Sequence, residues 1–463
     1  MKKPILTILL GLAAGLLSAQ SYSALYEDLP APMAQVEDVV TPPTSVSLLS
    51  YGAVGDGLTL NTKAFEDAIK DLRKKGGGTL VVPLGIYLTG PFVLRSDINL
   101  HLERGAVILS AEDKALHTKD GETRARPLVS ASKCENISIT GEGTIDGNGA
   151  RWRPVKREKV SDWEWKEYLR LGGTVTSDGT LWMPYSLKGQ KNVTSSPEDE
   201  EALRADLVRF TDCRNVLLKG VTFQNSPRFH VHPVRCENVT LDGITVRCPW
   251  NAQNGDAIDL SNCRRVLVTG CIVDAGDDGI CMKGGTGSSG VEAGPCEDIL
   301  IQDNTVYHAH GGFVIGSDVS GGMKNIVVRR CLFSGTDVGL RFKSGIGRGG
   351  ETSGIRISDI VMTDIKNEAI MFECTYIDRK YNYVPGEDSP AKVEFAPDFR
   401  DIDITRVTCH NAATGVRSIG LEGLSCVKDI HISNSTFLVT RKETDIDSFS
   451  SIQVEGCTFG KLY

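Results

Sequence analysis

The stretch CENVTLDGITV, Cys236 to Val246, decides the fold because the chain returns to this pattern many times. This pattern predicts two β-strands joined by a tight turn, because two short stretches of apolar–polar alternation flank a Gly-containing turn. The next copy, CRRVLVTGCIV, begins at Cys263. Further and sometimes weaker copies begin at Cys134, Cys213, Cys296, Met323, Thr352, Phe399 and Val427.

The spacing of the copies identifies the architecture. From the copy at Cys213 onward, their first branched apolar residues, the anchors, are Val216, Val239, Val266, Ile299, Ile326, Ile355, Ile402 and Ile430, separated by 23, 27, 33, 27, 29, 47 and 28 residues. Self-similarity at roughly 20–50 residues indicates a solenoid or an array, whereas propeller blades need about 40–45 residues each. Units made of strands and turns predict an all-β, right-handed, single-stranded parallel β-helix. One continuous core can run through such a fold.

Composition limits the kinds of partner that the protein can bind and indicates which side chains fill its core. A net charge of -8 argues against nucleic acid, and an anionic substrate would need a local basic cleft. Of the 13 cysteines, five precede the anchors by three places, at Cys134, Cys213, Cys236, Cys263 and Cys296. Equivalent residues of successive coils stack about 4.8 Å apart, so we expect a ladder of buried free thiols rather than disulfides. Without a CxxC pair we expect no zinc site.

The chain divides into several segments before and within the repeats. Residues 1–24 predict an export signal, with Lys2 and Lys3 ahead of an apolar run, although a buried first helix would have a similar pattern. A flexible linker is predicted over 25–45 and a β-helix domain over 46–463. Within that domain, 46–112 forms an N-terminal cap region whose helix runs from Thr62 to Lys75. The insertion 148–204 carries four of the five tryptophans, which form either its own small core or stacking faces for sugars.

Two adjacent carboxylates, Asp277 and Asp278, precede one repeat strand in the stretch DAGDDGICMKGG (Asp274–Gly285). When the repeats are aligned here, the first and third strand positions are apolar in every copy and face inward. The second and fourth positions therefore face outward, as two rows that contain Asp259, Cys281, Val314 and Arg341, then Ser261, Lys283, Gly316 and Lys343.

Register brings charged groups from several coils into one outer groove. Asp256 and Asp278 occupy the same position in neighbouring copies, while Gly255, Asp277 and His310 share the position before it. Because these positions lie in a turn, both members of the Asp pair can reach the groove. Along the groove the order is Asp256, Asp277 with Asp278 and Lys283, His310, then Arg341 with Lys343.

Crowded carboxylates beside cations suit the hydrolysis of an acidic polysaccharide. One carboxyl group must be protonated to donate to the leaving oxygen, and another must be ionised to activate water or to attack. Like charges in close proximity split their pKa values, which serves both needs. Neighbouring cations would hold a substrate carboxylate, and arginine does so in bidentate fashion.

At these positions the chain resembles the polygalacturonases of glycoside hydrolase family 28, whose motifs NTD, DD, GHG and RIK lie on a right-handed parallel β-helix. The matching segments are NGD (Asn254–Asp256), GDD (Gly276–Asp278), AHG (Ala309–Gly311) and RFK (Arg341–Lys343). Gly255, Ala309 and Phe342 depart from the motifs but replace no titrating group. The resemblance implies an inverting enzyme that hydrolyses α-1,4 bonds between galacturonic acid residues of pectin.

The same resemblance implies roles for individual residues. Asp277 would be the general acid, and His310 would support its protonation through a hydrogen bond. Asp256 and Asp278 would position and deprotonate the attacking water. Substrate-binding candidates are Arg341, Lys343, Lys283, Asn254 and Tyr376. We expect no metal, no cofactor and no membrane insertion, and a monomer that is periplasmic or secreted and meets pectin or oligogalacturonides.

Other functions remain open at this point. The presence of His310 favours a galacturonide over a rhamnogalacturonan substrate, because rhamnogalacturonan-cleaving relatives tend to lack that histidine; xylogalacturonan is a further alternative. Two other classes share the fold: a calcium-dependent pectate lyase and a non-catalytic glycan-binding β-helix. The tryptophan-bearing insertion favours exo action, since a loop that closes one end of the groove would restrict cleavage to chain ends.

Overall fold

The computed structural model describes residues 22–118, 124–184, 204–376 and 393–462 as a parallel β-helix. Each complete coil contributes one strand to each of three parallel sheets, called sheets A, B and C in chain order. Every strand pairs with the equivalent strand of the next coil, as Glu237–Asp242 does with Arg264–Thr269. The predicted all-β parallel β-helix is confirmed.

The strands of the three sheets recur in a fixed order. Sheet A contains Ser45–Ser47, Gly78–Val82, Ile98–Leu102, Glu135–Gly141, Arg214–Lys219, Glu237–Asp242, Arg264–Thr269, Cys296–Gln302, Asp398–Phe399, Val427–Ser433 and Ser450–Glu455. Sheet B contains Asp56–Leu60, Gly85–Thr89, Ala106–Ser110, Thr144–Asp146, Thr222–Gln224, Thr245–Arg247, Ile272–Asp274, Thr305–Tyr307 and Thr458–Lys461. Sheet C contains Phe92–Val93, Val129–Ser132, Val208–Thr211, Val231–Val234, Ile258–Ser261, Ile280–Lys283, Gly311–Ile315, Val338–Lys343 and Glu368–Glu373. Strands that bend from one sheet into the next are Met323–Ser334, Glu351–Thr363, Ile402–Ile419 and Thr436–Ile446.

The predicted repeat register is the observed one. Val216 pairs with Val239, Val239 with Val266, and Val266 with Ile299, and this row continues to Ile430. All the anchors are buried. Burying a Val or Ile side chain completely stabilises the fold by about 1.5–3 kcal/mol, so this stack is a main support of the coils.

The cysteine ladder is also confirmed. All 13 cysteines are free, and every one except Cys457 is buried. Cys296 pairs with Met323 in the next coil, which continues the apolar stack. Burial raises the pKa of Cys296 to about 11 and that of Cys271 to about 12. These thiols therefore stay protonated and act as small hydrophobic side chains.

The N-terminal region combines a helix with the first coils. The helix Thr62–Lys74 ends one residue before the predicted end, and its apolar stripe is buried. It packs against the Gly78–Val82 strand and the Leu48–Tyr51 turn. The strand Ser45–Ser47 already pairs with Gly78–Val82, so the coils begin one residue before the region 46–112 and the helix covers only their start.

The segment predicted as a flexible linker, 25–45, is instead packed on the outside of sheet A along its first part. Tyr26 is buried against Leu267, Leu300 and Val327, which point outward from three successive strands. This segment is ordered because those outward side chains form an apolar strip that needs a cover.

The predicted export signal falls mostly on residues 1–21, which lie outside the described residues. Within the described ranges, none of the helices is long and apolar enough to span a bilayer.

The insertion 148–204 forms a small unit of its own over the residues described, which exclude 185–203. Its antiparallel sheet contains Val155–Lys156, Thr174–Val175 and Leu181–Met183. Trp182 packs with Val155 and Val160, and Trp152 is also buried, so these two tryptophans are structural. Trp165 is partly buried against the same cluster, which leaves Trp163, 70% exposed, as the candidate for sugar stacking. Shorter helices and helical turns across the described chain are Ser23–Tyr26, Leu48–Tyr51, Lys114–His117, Gly149–Arg151, Arg157–Lys159, Asp162–Arg170 and Gly287–Ala293.

Candidate active site

The candidate site lies along the outer face of sheet C. Ile258 pairs with Ile280, Ile280 with Phe313, and Phe313 with Leu340. These four side chains are fully buried, as the predicted inward positions require. Because the register is unbroken, the turns that precede these strands stack on one another, and the side chains of four coils share one groove.

The side chains that face outward are more buried than the alternation of inward and outward positions along the strands predicted. Asp259 and Cys281 are fully buried although they point away from the core. The ring of Phe229 lies 5.2 Å from Lys283 Nζ, and the ring of Tyr376 lies 5.5 Å from Lys343 Nζ. These two aromatic rings wall the groove, and charges inside it interact more strongly than they would in water.

Asp277 and His310 are in direct contact. His310 Nδ1 lies 2.9 Å from Asp277 Oδ1, and the backbone N–H of Asn254 donates to Asp277 Oδ2 at 3.1 Å. With 17% of its side chain exposed, Asp277 is the most accessible of the three motif carboxylates; the values for Asp256 and Asp278 are 5% and 2%. Asp277 is therefore the motif carboxylate most able to touch a ligand in the groove.

Lys159, from the insertion, completes this group on the other side of His310. Its Nζ lies 2.8 Å from His310 Nε2. At that distance one of the two nitrogens must donate and the other must accept, so a single proton lies between them. Burial lowers the pKa of Lys159 from its ordinary value, against the opposing charge of Asp277. A lysine in this position can therefore give up a proton more readily than a solvated one.

Asp278 is held by the two cations of the RFK segment. Lys343 Nζ donates to Asp278 Oδ2 at 2.8 Å, and Arg341 Nη1 lies 4.0 Å from Oδ1. Burial alone would raise the pKa of Asp278, but Lys343 holds it below its ordinary value, and the same pair raises the pKa of Lys343. Asp278 Oδ1 is buried and has no hydrogen-bond donor among the described residues, so its capacity to accept a hydrogen bond is unfilled.

Asp256 shares its cation with a carboxylate that motif comparison did not single out. Lys283 Nζ lies 3.3 Å from Asp256 Oδ2 and 3.0 Å from Asp259 Oδ1. One lysine thus faces two buried acids. Burial raises the pKa of Asp256 well above its ordinary value, and the charges of Asp259 and Asp277 raise it further. Burial raises the pKa of Asp259 as well, with Lys283 opposing the shift.

The carboxyl groups therefore differ in pKa. In the free site, however, Asp277 does not hold the proton that a general acid at that position requires. Burial raises the pKa of Asp277, yet the hydrogen bond and charge of His310, helped by Lys343 and Lys283, outweigh burial and lower it. The free site thus keeps Asp277 and Asp278 ionised and favours protonation of Asp256 and Asp259. A general acid at Asp277 must acquire its proton when substrate enters.

Two neighbouring histidines hold residues around the carboxylates in place, His230 through backbone groups and His232 through side chains. His230 Nε2 accepts from the backbone N–H of Ser226, so its Nδ1–H donates to the carbonyl of Asp256 at 2.9 Å. Burial lowers the pKa of His230 to about 4, which keeps it neutral in this bridge. His232 Nδ1 lies 2.8 Å from Asp206 Oδ2 and its Nε2 lies 3.0 Å from Ser261 Oγ. Ser226 therefore supports the backbone of Asp256 through His230.

The remaining predicted substrate-binding residues are placed differently. Arg341 and Lys343 lie at the groove, with Tyr376 beside Lys343; Lys343 is paired with Asp278 at 2.8 Å, whereas Arg341 is 4.0 Å from that carboxylate. Lys283 is engaged by Asp256 and Asp259, so it balances acids rather than projecting toward a ligand. The Asn254 side chain accepts from Arg204 Nη2 at 2.9 Å, which makes Asn254 a support for Asp277.

A cation could in principle use one cluster in this groove. Asp277, Asp278 and His310 offer ligand atoms within 4.8 Å of one another. Lys343 already binds Asp278, however, and His310 already contacts both Asp277 and Lys159. A divalent ion would have to displace these partners, so the arrangement is better suited to proton transfer.

Sequence reasoning missed Lys159, Asp259 and Arg204. Asp259 was visible as an outward strand residue, and its position beside Lys283 was the available signal. Lys159 and Arg204 belong to or flank the insertion, which has no repeat register, so their approach to the groove depends on tertiary packing alone.

Comparison with known proteins agrees with the geometry. The family model described as Glycosyl hydrolases family 28 matches residues 166–395. An exopolygalacturonase structure from Thermotoga maritima aligns with a TM-score of 0.75 and 31% identity, covering 92% of this chain and 94% of that one. An exo-poly-alpha-D-galacturonosidase of Dickeya chrysanthemi is 27% identical over 440 residues, 91% of this chain and 71% of the relative. A probable polygalacturonase of Vitis vinifera is 29% identical over 427 residues, 88% and 78% of the two chains.

Proposed function

Because this chain belongs to family 28 of the glycosyl hydrolases and is therefore a glycoside hydrolase, we propose that it hydrolyses α-1,4 bonds between galacturonic acid residues of pectin. The single observation that carries this proposal is the contact network of one groove. In that groove the accessible Asp277 contacts His310, while Asp278 is ion-paired with Lys343. Acids that can exchange protons lie beside cations that can hold a uronate carboxylate.

In this mechanism Asp277 is the general acid and receives its proton on substrate binding. A bound polyuronate excludes water and adds negative charge, and both effects raise the pKa of a carboxyl group. The Nδ1 proton of His310 passes to Asp277 Oδ1 over 2.9 Å. In the same step the proton shared between Lys159 Nζ and His310 Nε2, which lie 2.8 Å apart, moves onto Nε2. Asp277 then protonates the leaving glycosidic oxygen.

Asp278 takes the proton of the attacking water in this mechanism. It is ionised in the free site, and its buried Oδ1 has no hydrogen-bond donor among the described residues. Asp256 positions that water from the neighbouring coil, with Lys283 between Asp256 and Asp259. Attack from the face opposite the leaving group gives inversion at the anomeric carbon.

Cleavage from a chain end is the favoured mode. The insertion reaches the groove through Lys159, and Tyr168 Oη lies 3.5 Å from Asn251 Nδ2 in the turn before Asp256. A folded unit at this place restricts how a long chain can cross the acids. Exo-acting relatives in the comparisons support the same mode. We also propose that the protein is exported and acts as a monomer on pectin or oligogalacturonides.

Product analysis tests this proposal. Wild-type protein is incubated with polygalacturonate, with rhamnogalacturonan and with xylogalacturonan, and products are sized over time. Early release of mono- or digalacturonate from polygalacturonate alone supports the proposal, and early oligomers of mixed length contradict exo action. Calcium-dependent appearance of ultraviolet-absorbing unsaturated products would identify a lyase instead.

A further inference from the structure

An arginine-lined cavity lies at the end of the groove opposite Arg341 and Lys343. Its volume is about 430 Å³, within the roughly 300–1,000 Å³ typical of small-molecule sites. The charged residues among its described lining are Arg124, Arg204, Arg209, Arg228 and Asp206. Among these described residues, four guanidinium groups face one carboxylate, which is a local excess of positive charge in a protein whose net charge is -8.

The one carboxylate in the lining is already engaged. Asp206 is buried, and its Oδ2 lies 2.8 Å from His232 Nδ1 and 3.4 Å from Arg209 Nη1. Burial raises the pKa of Asp206, but the hydrogen bond and charge of His232, with the charges of Arg228 and Arg209, outweigh burial and lower it below its ordinary value. Asp206 therefore fixes the wall of the cavity through His232 and Arg209.

The cavity is continuous with the catalytic turn through Arg204. This buried side chain donates to the carbonyl of Pro227 at 3.1 Å and to that of Gln253 at 2.8 Å. Its Nη2 donates to Asn254 Oδ1, and the backbone N–H of Asn254 donates to Asp277. The wall of the cavity and the proposed general acid are thus two hydrogen bonds apart.

Strand register fixes the position of the cavity relative to the acids. Arg209 pairs with His232, and in the next coil the equivalent residue of sheet C is Asp259. The row then continues through Cys281 and Val314 to Arg341. At about 4.8 Å per strand, Arg209 lies about 10 Å before Asp259, and Arg341 about 14 Å beyond it. Two cationic positions therefore bracket the catalytic carboxylates.

We propose that this arginine-lined cavity is a second carboxylate-binding subsite, which holds a galacturonate unit on the opposite side of the scissile bond from the unit held by Arg341 and Lys343. The inference rests on the proposed function, because it assumes a polyuronate in the groove. Guanidinium groups bind carboxylates with two parallel hydrogen bonds, and like charges gathered in one cavity favour an anion. Arg209 and Arg228, which are not buried, supply the contacts, while Arg204 orients the wall.

Kinetics of single arginine variants test the subsite. Arg209→Gln and Arg228→Gln are compared with wild type on polygalacturonate at low and high salt. Removing a charge-assisted contact made equally in the ground and transition states raises KM and leaves kcat unchanged. We expect KM to rise about 10- to 100-fold, with a weaker dependence on salt. The matched control is Arg330→Gln, since Arg330 is 45% exposed and ion-paired with Asp303 on a different sheet, while Arg209 is 42% exposed.

The possible outcomes separate the two proposals. If wild-type protein releases no sugar from polygalacturonate, the proposed function fails, whatever the variants do. If wild type is active and both variants keep its KM, the subsite is wrong while the hydrolase assignment stands. An equal rise of KM in Arg330→Gln would assign the effect to net charge and also overturn the subsite.

Discussion

Replacing Lys343 with Met is expected to destabilise the protein at pH 7 by removing the partner of a buried carboxylate. The Lys343 and Asp278 side chains are 8% and 2% exposed, with Nζ 2.8 Å from Oδ2. Breaking a buried ion pair by removing one member costs about 3–5 kcal/mol. Met retains most of the apolar stem, and Arg341 remains 4.0 Å from Asp278 Oδ1. We therefore expect the lower end of that range, about 3 kcal/mol.

The pH dependence follows from the direction of the pKa shift. In wild type the pKa of Asp278 is below its ordinary value, so its ionised form contributes stability above the unfolded value of about 3.9 that is lost as pH falls through the folded value. In the variant, burial and Asp277 raise the pKa of Asp278 without opposition from Lys343. The loss of stability caused by Lys343→Met is then fully present at high pH. It decreases as pH falls through the raised pKa of Asp278. The difference between variant and wild type should shrink as pH falls from 7.

Urea unfolding of both proteins at several pH values measures this difference. Lys366→Met is a matched control, because its Nζ also lies 2.8 Å from a carboxylate, Asp337, but 56% of its side chain is exposed. Exposed pairs contribute at most about 1 kcal/mol, with little change over this pH range. A Lys343→Met penalty no larger than that of the control, or one that stays constant with pH, would refute the reasoning.

Three further predictions concern other parts of the molecule. Lys159→Met should lower kcat about tenfold or more with little change in KM, and should alter the pH profile of kcat, because His310 loses its proton-sharing partner; an unchanged profile would limit Lys159 to a structural role. Alkylation of the native protein should modify Cys457 ahead of the twelve buried cysteines, as mass spectrometry of the labelled peptides would show; uniform labelling would contradict the ladder. Ile299→Ala should cost about 2–5 kcal/mol in urea unfolding, whereas Ile272→Ala, at a side chain that is 49% exposed, should change stability by at most about 0.5 kcal/mol; equal losses would count against the anchor stack.

The sequence predicted the fold and the positions of the groove residues well because both follow from a strand period of two and a repeat register. Once the anchor Val266 is matched to Ile299, the positions of Asp278 and His310 relative to one another follow without further information. The predicted inward row Ile258, Ile280 and Phe313 is fully buried for the same reason.

Features that depend on packing between non-repeating segments could not be predicted in this way. The segment around Tyr26 contains prolines and no clear periodicity, yet it covers an apolar strip that only the assembled sheet presents. Lys159 reaches His310 across 151 residues of sequence. The resting charge of Asp277 depends on the contact with His310 and the nearby lysines, and motif order does not specify those distances.

The central claim is that Asp277, held by His310 at the groove of sheet C, delivers the proton that breaks the glycosidic bond. The direct test compares wild type with Asp277→Asn for release of reducing ends from polygalacturonate, with oligogalacturonate binding measured by calorimetry on the same preparations. We predict that turnover falls by roughly 10²–10⁴-fold while binding is retained. Wild-type turnover in Asp277→Asn would contradict the account.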